Sequence, residues 1–365
     1  MRARPCLVAV LISICVAAAQ EIDPPTKTPA KTRPEDAAAL HSAIEMHDHG
    51  DYEGAIRRYT QILNANPDDV TARYELTFSY FAAKQYRECI ETAKIGIQYD
   101  SPLRGRFFSN MGSCLDESGK TDEAVKLYRA AIAAMPTDFL LPFNLGITLA
   151  RQKNNDEARA LFEKSIANNP SFPGAHLQLG HLCAGEGRRI PAVLALSRFL
   201  ILEPDTARSA VAFQDLNGVL DSFARTDPKT KQTSVTISAA PSSDGDFLSL
   251  EATLAIALTA AKVLKQEKEK PMPEPLVPAF QALFAAARDQ GKSASDFWRN
   301  YYLRYFADLD AKGLTEPFVY VITMKGDFPG ASSWMRQNWD RVRQLLAWSK
   351  AYDWSAPAPA AAENK

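Results

Sequence analysis

Downstream of Cys183 the chain has no histidine and no cysteine, although roughly half of it is still to come. The second half therefore cannot by itself build a Ser–His or Cys–His nucleophile or a His/Cys metal site. Charge of either sign is not in excess: 42 Lys and Arg against 43 Asp and Glu leave a formal net charge of −1. Nothing global suggests nucleic acid or an anionic membrane as partner. There is no Walker-type glycine loop, no dinucleotide fingerprint, and no carboxylate pair that stands out, so no cofactor is expected. The apolar run from Cys6 to Ala19 is too short to cross a bilayer comfortably. An integral span in the mature chain is not expected.

What the chain does have is a sentence of about 34 residues, repeated five times in its first two hundred positions. Gly112, Gly146 and Gly180 recur at that interval, as do Ala124, Ala158 and Ala192, then Tyr128, Phe162 and Leu196, then Pro136, Pro170 and Pro204. Apolar residues flank each glycine, and the alanine follows twelve positions later. That spacing describes two helices crossing closely over small residues. The turn between them falls at Ser118-Gly119-Lys120, Lys153-Asn154-Asn155 and Glu186-Gly187-Arg188, where Gly or Asn accepts a left-handed backbone. Thr121 and Asn155 then occupy the expected N-cap positions, and each proline ends a second helix.

These positions resemble those of the tetratricopeptide repeat family. The resemblance covers 36–204 as five copies, 36–69, 70–104, 105–138, 139–172 and 173–204. Copy one keeps Ala43, Ala55, Tyr59 and Pro67 in register. Copy two is degenerate, with Thr77, Cys89, Ala93 and Ser101 at the signature positions and a one-residue insertion around Ser101–Arg104. Leu76, Tyr80, Tyr86 and Ile90 still keep helical spacing there. The implied fold is all-α: a right-handed superhelical solenoid of about five helical hairpins, then a capping helix over 205–226 and a smaller helical C-terminal domain over 227–354.

In this family the first helix of each hairpin lines a concave groove, and its sixth position points inward. Carried onto this chain, the resemblance gives His41, Glu75, Asn110, Asn144 and Gln178. Asn110, Asn144 and Gln178 are consecutive carboxamides, able both to donate to and to accept from an extended peptide backbone. Equally, such amides can cap local backbone or meet water. Tyr74, Phe78 and Phe81 follow helical spacing in copy two, and Phe143 joins from copy four, as either a pocket beside this ladder or core. His181 is read as facing the groove, without an obvious partner for it or for His176. A carboxylate clamp is not expected, because Ser109, Ser113, Leu177 and His181 stand where Lys or Arg would be needed. His47-Asp48-His49-Gly50-Asp51 has metal-binding residue types but occupies the turn of the first repeat, so no metal site is assigned.

Arg2, Arg4, the apolar run and Ala17-Ala18-Ala19 resemble a signal peptide cleaved near Ala19, with export to the periplasm or the medium; anchoring through Cys15 or an uncleaved leader are the alternatives. Residues 20–35, rich in proline, read as a disordered linker, and 355–365 as a disordered tail. Cys89, Cys114 and Cys183 read as buried small hydrophobes with no complete disulfide framework. Beyond 205 the spacing predicts helices over 206–225, 247–266, 276–290, 294–311, 315–325 and 332–351, and one β-like run, Ser234–Ile237. All five tryptophans fall between 298 and 354, and the stripe Trp298, Tyr301, Tyr302, Tyr305 reads as core. The function that follows is a protein-interaction adaptor or scaffold holding an extended peptide or partner protein. The alternative is an envelope enzyme, carboxylate-based and glycan-active, whose repeats recruit substrate.

Overall fold

The computed structural model describes residues 22–227, 229–230, 233–237, 246–268, 273–290, 295–326 and 328–355. The leader expected over 1–19, with Cys15, lies outside them, as does the tail beyond Ser355. The chain forms two compact units, Met1–Pro136 and Thr137–Lys365.

The first unit is three helical hairpins. Helix α1 (Ala37–Asp48) pairs with α2 (Tyr52–Ala65), α3 (Val70–Ala82) with α4 (Tyr86–Gly96), and α5 (Arg104–Glu117) with α6 (Thr121–Ala134). Gly50, Lys84 and Gly119 supply the left-handed residue that closes each first helix. Copy two is thus a full hairpin despite its degenerate signature. The glycine of the repeat has a steric reason: a Cβ on Gly112 would lie 2.3 Å from Cζ of Tyr128. The Tyr128 hydroxyl in turn donates to the Ser109 carbonyl at 3.1 Å and sits 3.0 Å from Ser113 Oγ.

Two expectations are corrected in this unit. Cys89 and Cys114 are not isolated small hydrophobes. They form a disulfide between α4 and α5, with a Cα separation of 6.4 Å, and among the described residues Cys183 is the cysteine outside it, a buried thiol. The cause is positional: the degenerate small-residue site of copy two faces the third repeat's first helix. Nor is the described part of the linker disordered. Residues 22–34 run as a strap along the inter-repeat turns. Thr26 and Lys27 N–H donate to the Gln98 carbonyl at 2.8 and 2.9 Å, Asp100 N–H to the Lys27 carbonyl at 2.9 Å, and Ala30 N–H to the Asp68 carbonyl at 2.8 Å. Arg104 donates to the Asp23 carbonyl, Asn66 to that of Lys31, and the Lys27 ammonium stands 5.5 Å from the Tyr99 ring centre. Turns at helix ends leave backbone groups unpaired, and an extended proline-bearing segment can meet them.

The second unit holds the fourth and fifth hairpins, α7 (Leu140–Arg151) with α8 (Asn155–Asn168) and α9 (Pro173–Gly185) with α10 (Arg189–Leu202). Cβ atoms on Gly146 and Gly180 would lie 2.6 and 2.7 Å from Phe162 and Leu196. In the α7–α8 turn the left-handed residue is Lys153, φ 62°, rather than Asn154. Asn155 and Thr121 are first helical residues and not caps; Thr121 Oγ1 donates to Asp116 instead.

After α10 come α11 (Ala207–Phe223), capped by Thr206 and Ser209, and an antiparallel pair, β1 (Ala224–Thr226) and β2 (Thr233–Val235), with Arg225 opposite Ser234. Then follow α12 (Leu248–Lys268), α13 (Leu276–Gln290), α14 (Asp296–Trp298), a π turn over Arg299–Leu303, α15 (Arg304–Ala311), α16 (Thr315–Ile322), α17 (Ala331–Gln337) and α18 (Trp339–Lys350). Each expected C-terminal helix has a counterpart, two of them interrupted. Trp298, Tyr302 and Tyr305 are fully buried, beside a cluster of Phe280, Phe284, Phe306 and Phe318 with ring centres as near as 4.8 Å. Tyr301 is half-buried and Trp339 exposed.

Nothing separates the fifth repeat from these helices. Every residue of α10 from Arg189 to Ile201 is buried, enclosed by α9, α11, α12 and α16. Arg189 pairs with Glu251 of α12 and donates to the Ser222 carbonyl at 3.0 Å. Arg198, fully buried, donates to Tyr305 Oη at 2.9 Å and Ser349 Oγ at 2.6 Å, with its guanidinium 4.5 Å from the Tyr305 ring centre. His176 Nδ1 lies 2.7 Å from Tyr302 Oη and Nε2 is 3.0 Å from the Pro170 carbonyl. Burial, aided by the Arg198 charge and opposed by that carbonyl, lowers the His176 pKa to about 3.

Two predictions follow from this packing. Gly146→Ala, forced against Phe162, lowers stability by about 1–2 kcal/mol, whereas Gly218→Ala on α11, with open space around it, raises stability by about 0.5–1 kcal/mol; urea unfolding of both variants checks the opposite signs. The His176 pKa is depressed below that of the unfolded chain, so the group has no effect on stability above the unfolded value. As pH falls below about 6.5, the unfolded chain takes up a proton that the folded chain refuses until about pH 3. Between pH 6.5 and 4.5 the wild type loses about 2 kcal/mol more than His176→Gln, measured by tryptophan fluorescence, which here reports only the second unit.

Candidate functional site

The three positions of the first unit expected to face inward, His41, Glu75 and Asn110, lie on the first helices α1, α3 and α5. His41, exposed, spends its ring on an i,i+4 contact with Glu45 at 3.2 Å. Glu75 is half-buried and, among the described residues, makes no hydrogen bond or ion pair. Burial pushes its carboxyl above the usual range, Arg106 draws it back and Asp48 adds to the rise. Asn110 is half-buried, and its Nδ2 is shielded from water without a partner. Tyr59, fully buried, has a hydroxyl with no partner either; burial first, then Glu75 and Asp48, push its pKa up.

Aromatic rings stand beside these groups. Tyr74 meets Phe107 edge-on at 5.9 Å, with the Arg106 guanidinium 5.7 Å from its ring centre. Phe78, 39% exposed, stacks on His47 at 4.8 Å, and His47 Nδ1 is 2.8 Å from Ser79 Oγ. Phe81 is half-buried and leans towards Tyr86 at 6.2 Å. Tyr74 and Phe78 thus reach the surface while Phe107 is core. His49 turns to the Glu45 carbonyl, 2.7 Å away, so the two histidines of the first turn face different partners. Among the described residues no group of three or more His, Cys, Asp or Glu could hold a metal ion, and no helix is long and apolar enough to cross a membrane.

In the second unit Asn144 lies half-buried on α7 and Gln178 half-buried on α9. Phe143 packs between Phe162 at 6.1 Å and Phe172 at 4.9 Å, within the repeat's own cluster. The two histidines expected to lack partners have them. His176 is bound as described above, and His181 Nε2 is 3.0 Å from Asp215 Oδ2 of α11. Burial lowers the His181 pKa against the pull of Asp215.

Sequence reasoning missed Tyr59, Asp48 and Arg106. A signal was present for the first. Aligning copies places Ile44 where Ser113 stands, so the hydroxyl that Tyr128 meets through Ser113 has no counterpart near Tyr59. For Arg106 and Asp48 no periodicity distinguishes a charge that acts on Glu75 from a solvated one.

Tetratricopeptide repeat patterns match residues 46–100 and 110–173, and the chain carries such repeats. A tetratricopeptide repeat and J domain-containing co-chaperone of Fusarium oxysporum is 39% identical over 69 residues, 19% of this chain; the match spans only 13% of that protein's length. Among solved structures, a thermophilic tetratricopeptide-repeat protein of Thermus thermophilus is 18% identical, covering 50% of this chain and 99% of its own, with a TM-score of 0.44. YrrB, a tetratricopeptide-repeat protein with an unusual peptide-binding site, is 20% identical, covering 50% and 94%, at 0.33. PilW, a type IV pilus biogenesis factor, is 20% identical, covering 52% and 91%, at 0.39.

Proposed function

We propose that this chain is an exported protein-interaction adaptor or scaffold that holds an extended segment of a partner protein along the first helices of its repeats. The observation that carries this reading is Asn110, whose amide Nδ2 is buried at an inward position with no hydrogen-bond partner. An unpaired buried donor costs free energy that a peptide carbonyl would recover. Asn144 and Gln178 occupy the same register on α7 and α9. The second unit's helices past α10 complete the fifth repeat, since a terminal repeat otherwise exposes its apolar face.

Export is supported by the Cys89–Cys114 disulfide, a bond that persists in oxidising compartments. The enzyme alternative draws little from the C-terminal half. Its buried carboxylate Glu251 is committed to Arg189, Asp308 accepts from Tyr352 and Asp310 from Thr315, around a filled aromatic core.

Replacing Asn110 and Asn144 together by Ala weakens capture of the partner by about tenfold, the value of one to two lost hydrogen bonds, with unchanged helicity and melting. Isothermal titration with partner captured from an envelope extract measures this, and unaltered affinity removes the ladder from the mechanism. For the compartment, mature protein purified without reductant and then denatured should titrate one thiol, rising to three after reduction. The Cys89→Ser, Cys114→Ser double variant loses about 3 kcal/mol, the loop-closure value for a separation of 25 residues.

A further inference from the structure

Among the described residues the first unit leaves the hydroxyl of Tyr59, buried beneath α1 and α3, and the amide nitrogen of Asn110 without hydrogen-bond partners, and it leaves Glu75, half-buried on α3, without a hydrogen bond or ion pair. Native interiors rarely leave polar groups orphaned, and one left so beside a recognition surface is a group whose missing partner a ligand can supply. Tyr59 is the telling member. It is fully buried, and its counterpart Tyr128 finds both Ser109 and Ser113 within its own repeat. With Ile44 in place of that serine, the Tyr59 hydroxyl lies instead within electrostatic reach of Glu75 and Asp48.

The local charge has a sign. Glu75 and Asp48 contribute two negative charges and Arg106 one positive, and Arg106 forms no ion pair with either, standing over the Tyr74 ring instead. The rings on α1 and α3 are Phe78 and His47, stacked on each other with Phe78 exposed, and Tyr74, which already carries Arg106 over one face and Phe107 against it. A carboxylate that meets its one nearby cation, Arg106, only through space and not in a direct pair, and that has an exposed ring on its own helix, is matched by an alkylammonium or guanidinium, which pairs with the one and lies on the other. A second acidic group would leave two charges repelling, and an aliphatic side chain would leave Glu75 desolvated and unpaired.

Resting on the adaptor reading above, we infer that the face of the first three repeats selects a cationic side chain, lysine or arginine, projecting from the extended partner segment, with Glu75 as its counter-ion and Phe78 as its ring wall. Asn110, one repeat on, holds the backbone of the same segment. Glu75 is thereby a specificity residue, where Asn110 reads any sequence.

The test uses the full mature chain and degenerate ten-residue peptides, acetylated and amidated, with random flanks and a central Lys, Gln or Glu. By fluorescence anisotropy the Lys pool binds about tenfold more tightly than the Gln pool, and the Glu pool more weakly still, as expected for one charge pair with a cation–π contribution. Glu75→Gln brings the Lys pool down to the level of the Gln pool and leaves the Gln pool unchanged, with circular dichroism and melting as wild type. Equal binding of Lys and Gln pools, or a Lys preference that survives Glu75→Gln, overturns the inference while the groove reading stands. Loss of the preference in a Phe78→Ala variant as well supports the ring wall. If no pool binds, the inference is overturned, and the Asn110 and Asn144 variant decides separately whether the groove is used at all.

Discussion

Each regular hairpin in this protein is spaced by one glycine lying under one bulky side chain. At Gly112, Gly146 and Gly180 a single added methyl would overlap Tyr128, Phe162 or Leu196 by an ångström or more. That contact sets how far apart the two helices stand, and through it which residues of the first helix face inward. Copy one has Ala43 packed in one cluster with Tyr59, and copy two has the smaller pair Thr77 and Ala93 at these positions, both buried. The helical hairpins therefore keep their register through the degenerate copy. This is why Glu75 and Asn110 can be compared at all.

The second constraint is the closure of the last repeat. Helix α10 is apolar on every side, from Ile190 and Val193 round to Leu196 and Leu200, and such a helix must be enclosed. Helices α9, α11, α12 and α16 do so. Enclosure also buries Arg189 and Arg198. The first is neutralised by Glu251; the second is met, among the described residues, by Tyr305, Ser349 and ring faces rather than by a carboxylate. A helix of this kind, two guanidiniums included, ties the C-terminal helices to the fifth hairpin as one core.

The repeat was legible because sterics made it so: a glycine, an alanine, a ring and a proline at fixed spacing can hardly mean anything else. C-terminal helices were equally legible from periodicity, although the π turn at Arg299–Leu303 and the break at Asn338 were not. What escaped was everything that depends on which turn meets which segment. The pairing of Cys89 with Cys114 needs the crossing of α4 over α5. Burial of α10 was written in its all-round apolarity, yet the reading of a separate domain from 227 passed over it. At the inward face, amides could be placed by register, whereas the isolation of the Tyr59 hydroxyl follows only when copies are compared side by side.

The strap over residues 22–34 has a mechanical consequence. Its hydrogen bonds run backwards along the unit: Asp23 is held by Arg104 at the head of the third hairpin, Lys27 lies at the end of the second, and Lys31 at the end of the first. Tension applied upstream of Asp23 therefore arrives at the third hairpin before it reaches α1. It meets there a hairpin that the Cys89–Cys114 disulfide joins covalently to the second. A chain tethered at that end would carry its first helices unstrained.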